Sequence, residues 1–359
     1  MDERFKSRLD KFREKLREMN IEAALVTKRE NYAYLSGFTG STAWLVISQE
    51  DASLITDFRY AEQAARQAHG YNIVRYQGSA LTAINDIISG KRLEALGFEE
   101  TGTTYDKYLE YKDKLNVKGL VPLKGAVESL RIVKDSTEIE TIKKAVSIAD
   151  QAFAHVLSHI RPGVAEMEIA AEIEYFMKKQ GAKGASFETI VASGERAAMP
   201  HGVASERRLK YGDVITLDFG AIYNDYCSDM TRTVFLGQPD EELKKIYGIV
   251  LKAQKMAASG AFAGLTGRQI DCIARDFIAG QGFGEYFGHG LGHGVGLEIH
   301  EEPRLSTAGC VEMKDGMVVT AEPGIYIPGL GGVRIEDIVV INGDSPIILT
   351  QSAKDLIII

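Results

Sequence analysis

The sequence predicts an α/β domain followed by an α+β domain with an internal duplication, and three observations support this. The chain has 359 residues, more than the roughly 250–300 residues at which a single hydrophobic core stops growing. Short apolar runs alternate with helical patterns up to Glu128, after which the helical patterns become longer. An order of helix, helix and strand hairpin then occurs twice. We therefore expect domains at residues 1–128 and 129–359.

The composition excludes several classes of protein. Lysine and arginine total 42 against 50 aspartates and glutamates, whereas a surface for nucleic acid needs clustered positive charge. No apolar run approaches the roughly 20 residues of a membrane-spanning helix. The cysteines at 227, 272 and 310 are too widely spaced for a paired metal-binding or disulfide motif. We expect a soluble, cytoplasmic protein that binds neither nucleic acid nor membrane.

Hydrophobic periodicity predicts the elements of the first domain. Apolar residues recur at helical spacing from Phe5 to Met19, which indicates an amphipathic helix over residues 4–19. Further helical patterns lie at 60–68, 82–88 and 104–114. Short apolar runs bounded by turn residues predict strands at 23–26, 43–47, 52–56 and 95–98. This alternation of strands and helices is typical of an α/β domain.

Two helices open the second domain. Asp135 and Glu138 have the spacing of a capping box, and the apolar stripe behind them predicts a helix to about residue 159. The next helical pattern ends at Gly181. A strand hairpin over 213–235 follows, with its turn near Tyr223-Asn224.

The same order then recurs. Thr266 and Gln269 form a second capping box, which opens a helix that ends at Gly280, and a hairpin is predicted over 317–341. Aligning the second helix of each half gives a constant offset, 264 − 163 = 101, with identical residues at the pairs Gly163/Gly264, Ile169/Ile270, Phe176/Phe277, Gln180/Gln281 and Gly181/Gly282. Shared amphipathic patterning alone could give these identities, but a duplicated unit with a site between its halves is the more informative interpretation.

Both predicted hairpins carry acids within apolar strands. In the first, Asp218 and Asp229 are expected to lie almost directly opposite each other, with Cβ atoms about 5 Å apart on one face. Two such carboxylates repel, so one holds a proton unless a cation lies between them. The alternative is a pair of solvated acids at a sheet edge. In the second hairpin Glu322 ends a strand, and strand alternation places Glu336 on the same face as Arg334.

A histidine lies in a segment in which alternate residues are glycine, Gly290 to Gly296 around His293. Glycine there permits close approach of another backbone or a ligand. A nucleotide-binding loop is disfavoured because the spacing is not GxGxxG and no Gly-Lys-Ser/Thr follows. One histidine with four carboxylates is a hard, oxygen-rich ligand set, which suits Mn²⁺ or Co²⁺ and also permits Fe²⁺ or Zn²⁺. Five such ligands indicate two metal ions.

These motifs together resemble the metal-ligand motifs of the pita-bread metallopeptidases, and within them the Xaa-Pro branch of aminopeptidase P and prolidase. The resemblance covers nearly the whole chain. The motifs that carry it are Leu217-Asp218-Phe219-Gly220, Ser228-Asp229-Met230-Thr231-Arg232-Thr233, Gly288-His289-Gly290-Leu291-Gly292-His293, Thr320-Ala321-Glu322-Pro323-Gly324 and Arg334-Ile335-Glu336-Asp337, with Tyr34–Gly40 and Thr56–Tyr60 in the first domain.

The resemblance implies a creatinase/prolidase-like first domain, a pita-bread catalytic domain with pseudo-twofold duplication, and a homodimer. It also implies roles for individual residues. The implied metal ligands are Asp218, Asp229, His293, Glu322 and Glu336, with Asp229 and Glu336 bridging. The implied residues of the substrate site are His201, His300, His289, Arg334 and Tyr326.

The expected activity is metal-dependent hydrolysis of an N-terminal Xaa-Pro bond, as an Xaa-Pro aminopeptidase or an Xaa-Pro dipeptidase. A water or hydroxide between the two ions would attack the carbonyl carbon, with Glu322 as general base and His201 or His300 stabilising the intermediate. Two alternatives from other classes stay open. A metallophosphoesterase could use the same ligands, and a non-catalytic binding protein on this fold should have lost some of them.

Overall fold

The structure, a computed structural model, describes residues 2–359, which form two compact units divided between Arg131 and Ile132. The boundary expected at residue 128 lies three residues before this division, inside the helix Ala126–Arg131. Among the helices of the described residues, none combines the length and the apolar composition needed to cross a membrane.

The first unit contains a six-stranded sheet with the order β4-β3-β2-β1-β5-β6. Strand β2 pairs antiparallel with both of its neighbours, β1 and β3. The remaining pairs in the sheet are parallel. In chain order its elements are α1 (Glu3–Glu18), β1 (Ala23–Val26), α2 (Arg29–Ser36), β2 (Trp44–Ser48), β3 (Ala52–Thr56), α3 (Ala61–Gln67), β4 (Asn72–Arg75), α4 (Ala80–Lys91), β5 (Ala95–Phe98), α5 (Tyr105–Lys114), β6 (Gly119–Pro122) and α6 (Ala126–Arg131).

The periodicity missed the two edge strands of this sheet. None of the residues of β4 and β6 is buried, whereas all residues of β1 and β3 are. An edge strand packs less of its surface than a central one, so its sequence carries a weaker apolar signal. Helix α2 was also missed, although Gly37 caps its C-terminus with a φ of 78°, the left-handed conformation typical of that position.

The second unit confirms the predicted α+β class. In chain order its elements are α7 (Ser136–Val156), α8 (Glu166–Lys179), β7 (Gly184–Ala185), β8 (Ile190–Ser193), β9 (Val214–Phe219), β10 (Ala221–Tyr223), β11 (Tyr226–Cys227), β12 (Met230–Phe235), α9 (Glu241–Ser259), α10 (Gly267–Gly280), β13 (Gly292–Gly294), β14 (Glu301–Leu305), β15 (Val318–Ala321), β16 (Gly324–Ile327), β17 (Gly331–Arg334), β18 (Asp337–Val340) and β19 (Ile347–Ile348). Short 3₁₀ helices cover Leu157–His159, Gly194–Ala198 and Gly284–Tyr286.

The duplication is exact in the second helix of each half. Helices α8 and α10 begin at 166 and 267 and end at 179 and 280, so both ends keep the offset of 101. The buried positions 169, 173 and 177 of α8 pack in one core cluster, and 270, 274 and 278 of α10 pack in another. Equivalent residues therefore face equivalent cores, which supports duplication over chance similarity of two amphipathic helices.

Candidate metal centre

The five predicted ligands come from five different places in the second unit. Asp218 lies in β9, Asp229 directly before β12, and His293 in β13. Glu322 lies between β15 and β16, and Glu336 between β17 and β18. All four acids and the histidine are largely withdrawn from solvent, and Asp229 and Glu336 are only 5% and 1% exposed. The structure therefore brings buried charged groups together from strands far apart in the chain.

Three of these residues form a compact group of possible ligand atoms. One atom each from Asp229, His293 and Glu336 lies within 4.8 Å of the others. His293 Nε2 lies 3.6 Å from Asp229 Oδ2 and 3.3 Å from Glu322 Oε1, which adds a fourth residue. The His293 Nδ1 is 3.1 Å from the Gly294 carbonyl oxygen, so the neutral ring carries its proton on Nδ1 and turns the lone pair of Nε2 towards the carboxylates.

The predicted pairing of the first hairpin was wrong by two positions. Asp218 lies opposite Thr231, and Asp229 is its diagonal neighbour. The cause is the turn, which is centred on Asn224 and Asp225, both with positive φ, instead of on Tyr223 and Asn224. Diagonal neighbours stay on the same face but stand roughly 7–8 Å apart, so the carboxylates face a common space without being in contact.

In the second hairpin both strands are interrupted, one at Glu322 and the other at Glu336. Strand β15 pairs with β18 in one sheet, where Ala321 lies opposite Asp337, and β16 pairs with β17 in another, where Gly324 lies opposite Arg334. The two pairings continue in one register. In that register Glu322 and Glu336 lie directly opposite each other. The expectation that one continuous strand carries Glu336 was therefore wrong, although its face is the predicted one.

The glycines around His293 have a steric role. A Cβ on Gly292 would lie 2.2 Å from the Thr320 carbonyl oxygen, and one on Gly294 would lie 2.3 Å from that of Glu302. Any side chain there would push β13 away from its neighbours. The close approach also lets Thr320 Oγ1 accept from the His293 amide at 3.0 Å and donate to Glu322 Oε1 at 3.1 Å.

Arg334 links the two hairpins. Its Nη2 donates to Asp218 Oδ2 at 2.6 Å, and its Nε donates to Thr231 Oγ1 at 3.0 Å. Thr231 in turn donates to Glu336 Oε2 at 2.7 Å. One carboxylate oxygen of each of these two acids is therefore fixed in direction.

The other oxygens of the same two acids lack a partner. Asp218 Oδ1 and Glu336 Oε1 are buried, and neither has a hydrogen-bond partner within the described part of the chain. A buried acceptor without a partner costs about 1–3 kcal/mol, and more when it is charged. The orphaned atoms and the donor set of one imidazole and four carboxylates both fit divalent metal ions.

Without a cation, the electrostatics disfavour the ionised forms of two of these acids and favour those of Glu322 and His293. Burial, followed by repulsion from Asp218, raises the pKa of Asp229 well above its usual value. Burial and the charge of Asp229 do the same to the pKa of Glu336. Burial opposes ionisation of Glu322 and His293, but their mutual hydrogen bond and attraction prevail, giving a pKa of about 2 for Glu322 and about 9 for His293.

The remaining predicted site residues surround this group unequally. The rings of His293 and His300 are 4.3 Å apart, edge to face. Tyr326 Oη accepts from Arg334 Nη1 at 2.7 Å and lies 2.9 Å from His289 Nε2. His201 is exposed in the segment after the 3₁₀ helix, and its charge helps to lower the pKa of His300, after burial and the charge of His293.

Sequence reasoning missed several residues that hold this arrangement. Thr231 and Thr320 each stand two positions from a proposed ligand, so strand alternation could have placed them on the face of that acid. Arg304 lies directly opposite His293 in the pairing of β13 with β14, which no local pattern indicates. Glu166 and Asp271 are fully buried acids in α8 and α10, and an acid near the start of a helix looks like an ordinary capping residue.

Comparison with known proteins gives one consistent relationship. The model of metallopeptidase family M24 matches residues 140–343, and that of the Creatinase/Prolidase N-terminal domain matches residues 8–133. The chain is 42% identical over 354 residues to an Xaa-Pro dipeptidase of Pyrococcus furiosus, covering 98% of this chain and 100% of the relative.

Two solved structures are also similar over nearly their full length. An Xaa-Pro dipeptidase from Bacillus anthracis has a TM-score of 0.97 and 47% identity, covering 99% of this chain and 100% of that one. An X-Pro aminopeptidase from Thermotoga maritima has a TM-score of 0.90 and 39% identity, covering 96% and 100%. With the matched domains and the buried group of possible metal ligands, these relationships show that the chain belongs to metallopeptidase family M24 and is a metal-dependent peptidase.

Proposed function

We propose that this chain hydrolyses the bond between an N-terminal residue and a proline in the second position, with Xaa-Pro dipeptides among its substrates. The observation that carries the proposal is the buried group of Asp218, Asp229, His293, Glu322 and Glu336, with its orphaned carboxylate oxygens. These five residues would hold two divalent ions, to which Asp229 and Glu336 would both contribute as shared ligands, and we propose Mn²⁺ as the native metal. Such ions polarise a carbonyl group and lower the pKa of bound water.

Glu322 is the proposed general base. Its carboxylate is ionised at neutral pH, because the hydrogen bond and the charge of His293 outweigh burial and hold its pKa near 2. An ionised carboxylate can take a proton from the attacking water and pass it to the leaving nitrogen. Thr320 Oγ1 fixes the direction of this carboxylate through its 3.1 Å bond to Oε1.

The histidines around the ligands are the proposed substrate groups. Burial lowers the pKa of both His289 and His300, so each is neutral at pH 7. Neutral His300 can offer an N–H to the substrate without bringing a full charge, whereas both ring nitrogens of His289 already have partners within the chain. We assign His300, with His201, to the oxygen that becomes negative in the tetrahedral intermediate. His289, held by Tyr326 and through it by Arg334, is assigned to the wall of the proline pocket.

Proline makes a dedicated site necessary. An Xaa-Pro bond lacks an N–H and its ring fixes φ, so the extended pose used by general peptidases is not available. A dipeptide has, in addition, a free carboxylate directly beyond the proline ring. We assign that carboxylate to Arg304, since its register opposite His293 places both side chains on one face of the sheet and its own side chain is 75% exposed.

Aminopeptidase action on longer peptides is the second candidate, favoured by the similarity to the Thermotoga maritima enzyme. The remaining alternatives have less support. The guanidinium of Arg334, which lies beside the proposed ligands, is already committed to Asp218, Thr231 and Tyr326, so it is not free to bind the phosphate of a phosphoesterase substrate. A homodimer, a cytoplasmic location and functional domains at 1–128 and 129–359 complete the proposal.

The test compares an Xaa-Pro dipeptide with the matching Xaa-Pro-Yaa tripeptide, with Mn²⁺, Co²⁺ and Zn²⁺ supplied separately. We expect hydrolysis of the dipeptide, fastest with Mn²⁺. Replacing Arg304 by Gln should raise KM for the dipeptide by about tenfold, the size of one charge-assisted contact, and leave that for the tripeptide nearly unchanged. Turnover of the tripeptide alone would establish aminopeptidase action, and turnover of neither would refute the proposal.

A further inference from the structure

A second group of metal-ligand side chains lies on elements that carry none of the proposed active-site ligands. His155 is near the end of α7, His159 ends the 3₁₀ helix that follows, and Glu172 lies in α8. One atom from each lies within 4.8 Å of the others. The two histidines are four positions apart, the spacing that places two imidazoles on one face of a helix.

The nitrogen atoms of both rings converge on one carboxylate oxygen. Glu172 Oε1 lies 2.6 Å from His155 Nε2 and 3.7 Å from His159 Nε2. In a tetrahedral zinc site with bonds of about 2.0–2.1 Å, neighbouring ligand atoms stand about 3.3 Å apart. The two observed separations lie on either side of that value. The third pair of ligand atoms also lies within 4.8 Å, so the three side chains are already grouped closely enough to surround one ion.

The tautomer of His159 points to a cation. His159 Nδ1 lies 3.3 Å from the carbonyl oxygen of His155 and 3.2 Å from Ser158 Oγ. A carbonyl oxygen only accepts, so the ring proton of neutral His159 is on Nδ1, and the Nε2 lone pair faces the negative Glu172 oxygen. Two acceptors that face each other repel, and a cation between them turns that repulsion into two bonds.

The same arrangement occurs at the family's metal centre. His293 also directs Nδ1 to a backbone carbonyl and Nε2 to carboxylate oxygens. Metal-binding histidines commonly use the second nitrogen in this way, because the bond to a carbonyl fixes the tautomer and the orientation of the ring. His155 is oriented differently, by stacking on Phe176 with ring centroids 4.2 Å apart and an angle of 18° between the planes.

We propose that His155, His159 and Glu172 form a second, independent metal site, which takes Zn²⁺ or another divalent first-row ion that favours imidazole. The side chains are 30%, 38% and 29% exposed, so an ion can reach them from solvent and water completes the coordination. The site connects α7 to α8 at the start of the duplicated frame. Its ion stabilises the helix pair and takes no part in peptide hydrolysis.

Zinc binding by the full-length protein tests this directly. The wild-type chain, His159→Gln, Glu172→Gln and the matched surface control His69→Gln are dialysed against micromolar buffered Zn²⁺, and zinc per chain is measured by mass spectrometry. We expect the wild type and His69→Gln to hold one zinc per chain more than either cluster variant. Peptidase activity with Mn²⁺ should be the same in all four proteins within about twofold, since none of these residues belongs to the proposed catalytic group.

Equal zinc content in all four proteins would overturn the proposal and leave the peptidase assignment untouched. So would an additional zinc that appears only at millimolar concentration. Having two variants on different elements guards against a folding defect in one of them, and circular dichroism identifies such a defect. A rise in the melting temperature on adding Zn²⁺ that is present in the wild type and His69→Gln, but absent in Glu172→Gln, would add independent support.

Discussion

The two halves of the second unit share a frame but use it differently. Helices α8 and α10 agree to the residue at an offset of 101, and each is preceded by an antiparallel bridge, Ala165 to Arg208 and Thr266 to Glu312. The first hairpin presents two aspartates as diagonal neighbours. The second presents two glutamates directly across from each other at an interruption of its strands. The frame therefore fixes where acids can stand, and the local turn and register decide which acids meet.

The halves also differ in what their buried helix acid supports. Glu166 in α8 accepts from the backbone and side chain of Ser193 and of Ser205 and pairs with Arg196, which fixes the segment that carries His201. Asp271 in α10 accepts from the Leu291 amide at 3.0 Å and pairs with Arg275. The first acid thus supports a proposed substrate residue, and the second supports the strand that carries His293.

Removing one proposed ligand from each hairpin should have the largest effect. Asp229→Asn and Glu336→Gln should each lower kcat/KM by at least about a thousandfold, the size of losing a major transition-state interaction. The folded content measured by circular dichroism should be unchanged, because burial and neighbouring carboxylates already disfavour the ionised form of both acids when no metal ion is bound. Metal content measured by mass spectrometry should fall in parallel.

The neighbouring Asp337 is the matched control, because its carboxylate points away from the ligands. It pairs with Arg232 and Lys354 and accepts from Gln254. Asp337→Asn should keep the metal and cost about 3–5 kcal/mol of stability, since it leaves buried charge unpaired. Full activity and metal content in Asp229→Asn or Glu336→Gln would show that the ligand assignment is wrong.

The metal-free protein should lose stability as pH rises, because the acids of the two hairpins repel each other more strongly once His293 and the acids themselves lose their protons. The pKa of His293 is raised to about 9 from its ordinary value of 6.5. Protonated His293 therefore contributes its full stabilisation of the folded protein below pH 6.5, and this stabilisation is lost as pH rises to 9. The raised pKa values of Asp229 and Glu336 act in the same direction. The expected loss is about 3 kcal/mol for His293 alone.

The measurement is the melting temperature with Mn²⁺ and with EDTA, at pH 6 and at pH 9. We expect the difference between the two conditions to be larger at pH 9. The variant Glu336→Gln, which removes one of the repelling charges, should show a smaller change with pH. A metal-free protein that becomes more stable between pH 6 and pH 9 would contradict the assigned electrostatics.

The buried helix acids should separate metal binding from substrate binding. Asp271→Asn weakens the support of β13, and we expect metal affinity to fall about 10- to 100-fold, as for other residues behind a ligand. Glu166→Gln should leave metal affinity unchanged and lower kcat/KM, because it loosens the segment around His201. Metal titration followed by mass spectrometry and steady-state kinetics distinguish these results. If both variants changed metal affinity equally, the proposed division of roles would fail.

The smallest effect is expected from Tyr326→Phe. The hydroxyl joins His289 to Arg334, and its loss removes two hydrogen bonds without changing the shape of the side chain. A reduction of kcat/KM by about 3- to 10-fold corresponds to roughly 1 kcal/mol. The exposed Tyr211, whose side chain touches none of these groups, provides the control Tyr211→Phe. A loss as large as that of Glu336→Gln would make Tyr326 a catalytic residue instead of a positioning residue.

The fold, and the group of acids that the folded chain brings together around His293, could be predicted largely because they depend on local patterns. The capping box of Asp135 and Glu138 is present, and the glycines around His293 do permit the close approach that was expected. Register could not be predicted, because it depends on which two residues enter the turn at Asn224. Long-range supports such as Asp271 with Leu291 were also out of reach, since only the folded chain brings them together.

The interruption of the second hairpin makes this part of the chain intolerant of changes in length. Two strand pairs in separate sheets keep one register across Glu322 and Glu336, although no ladder joins them at that point. A strand turns its side chain over with every residue, so one residue added between Ala321 and Gly324 would leave both sheets paired and aim Glu322 away from Glu336. Insertions that most surface loops would tolerate are therefore excluded here by geometry alone, before any change in chemistry.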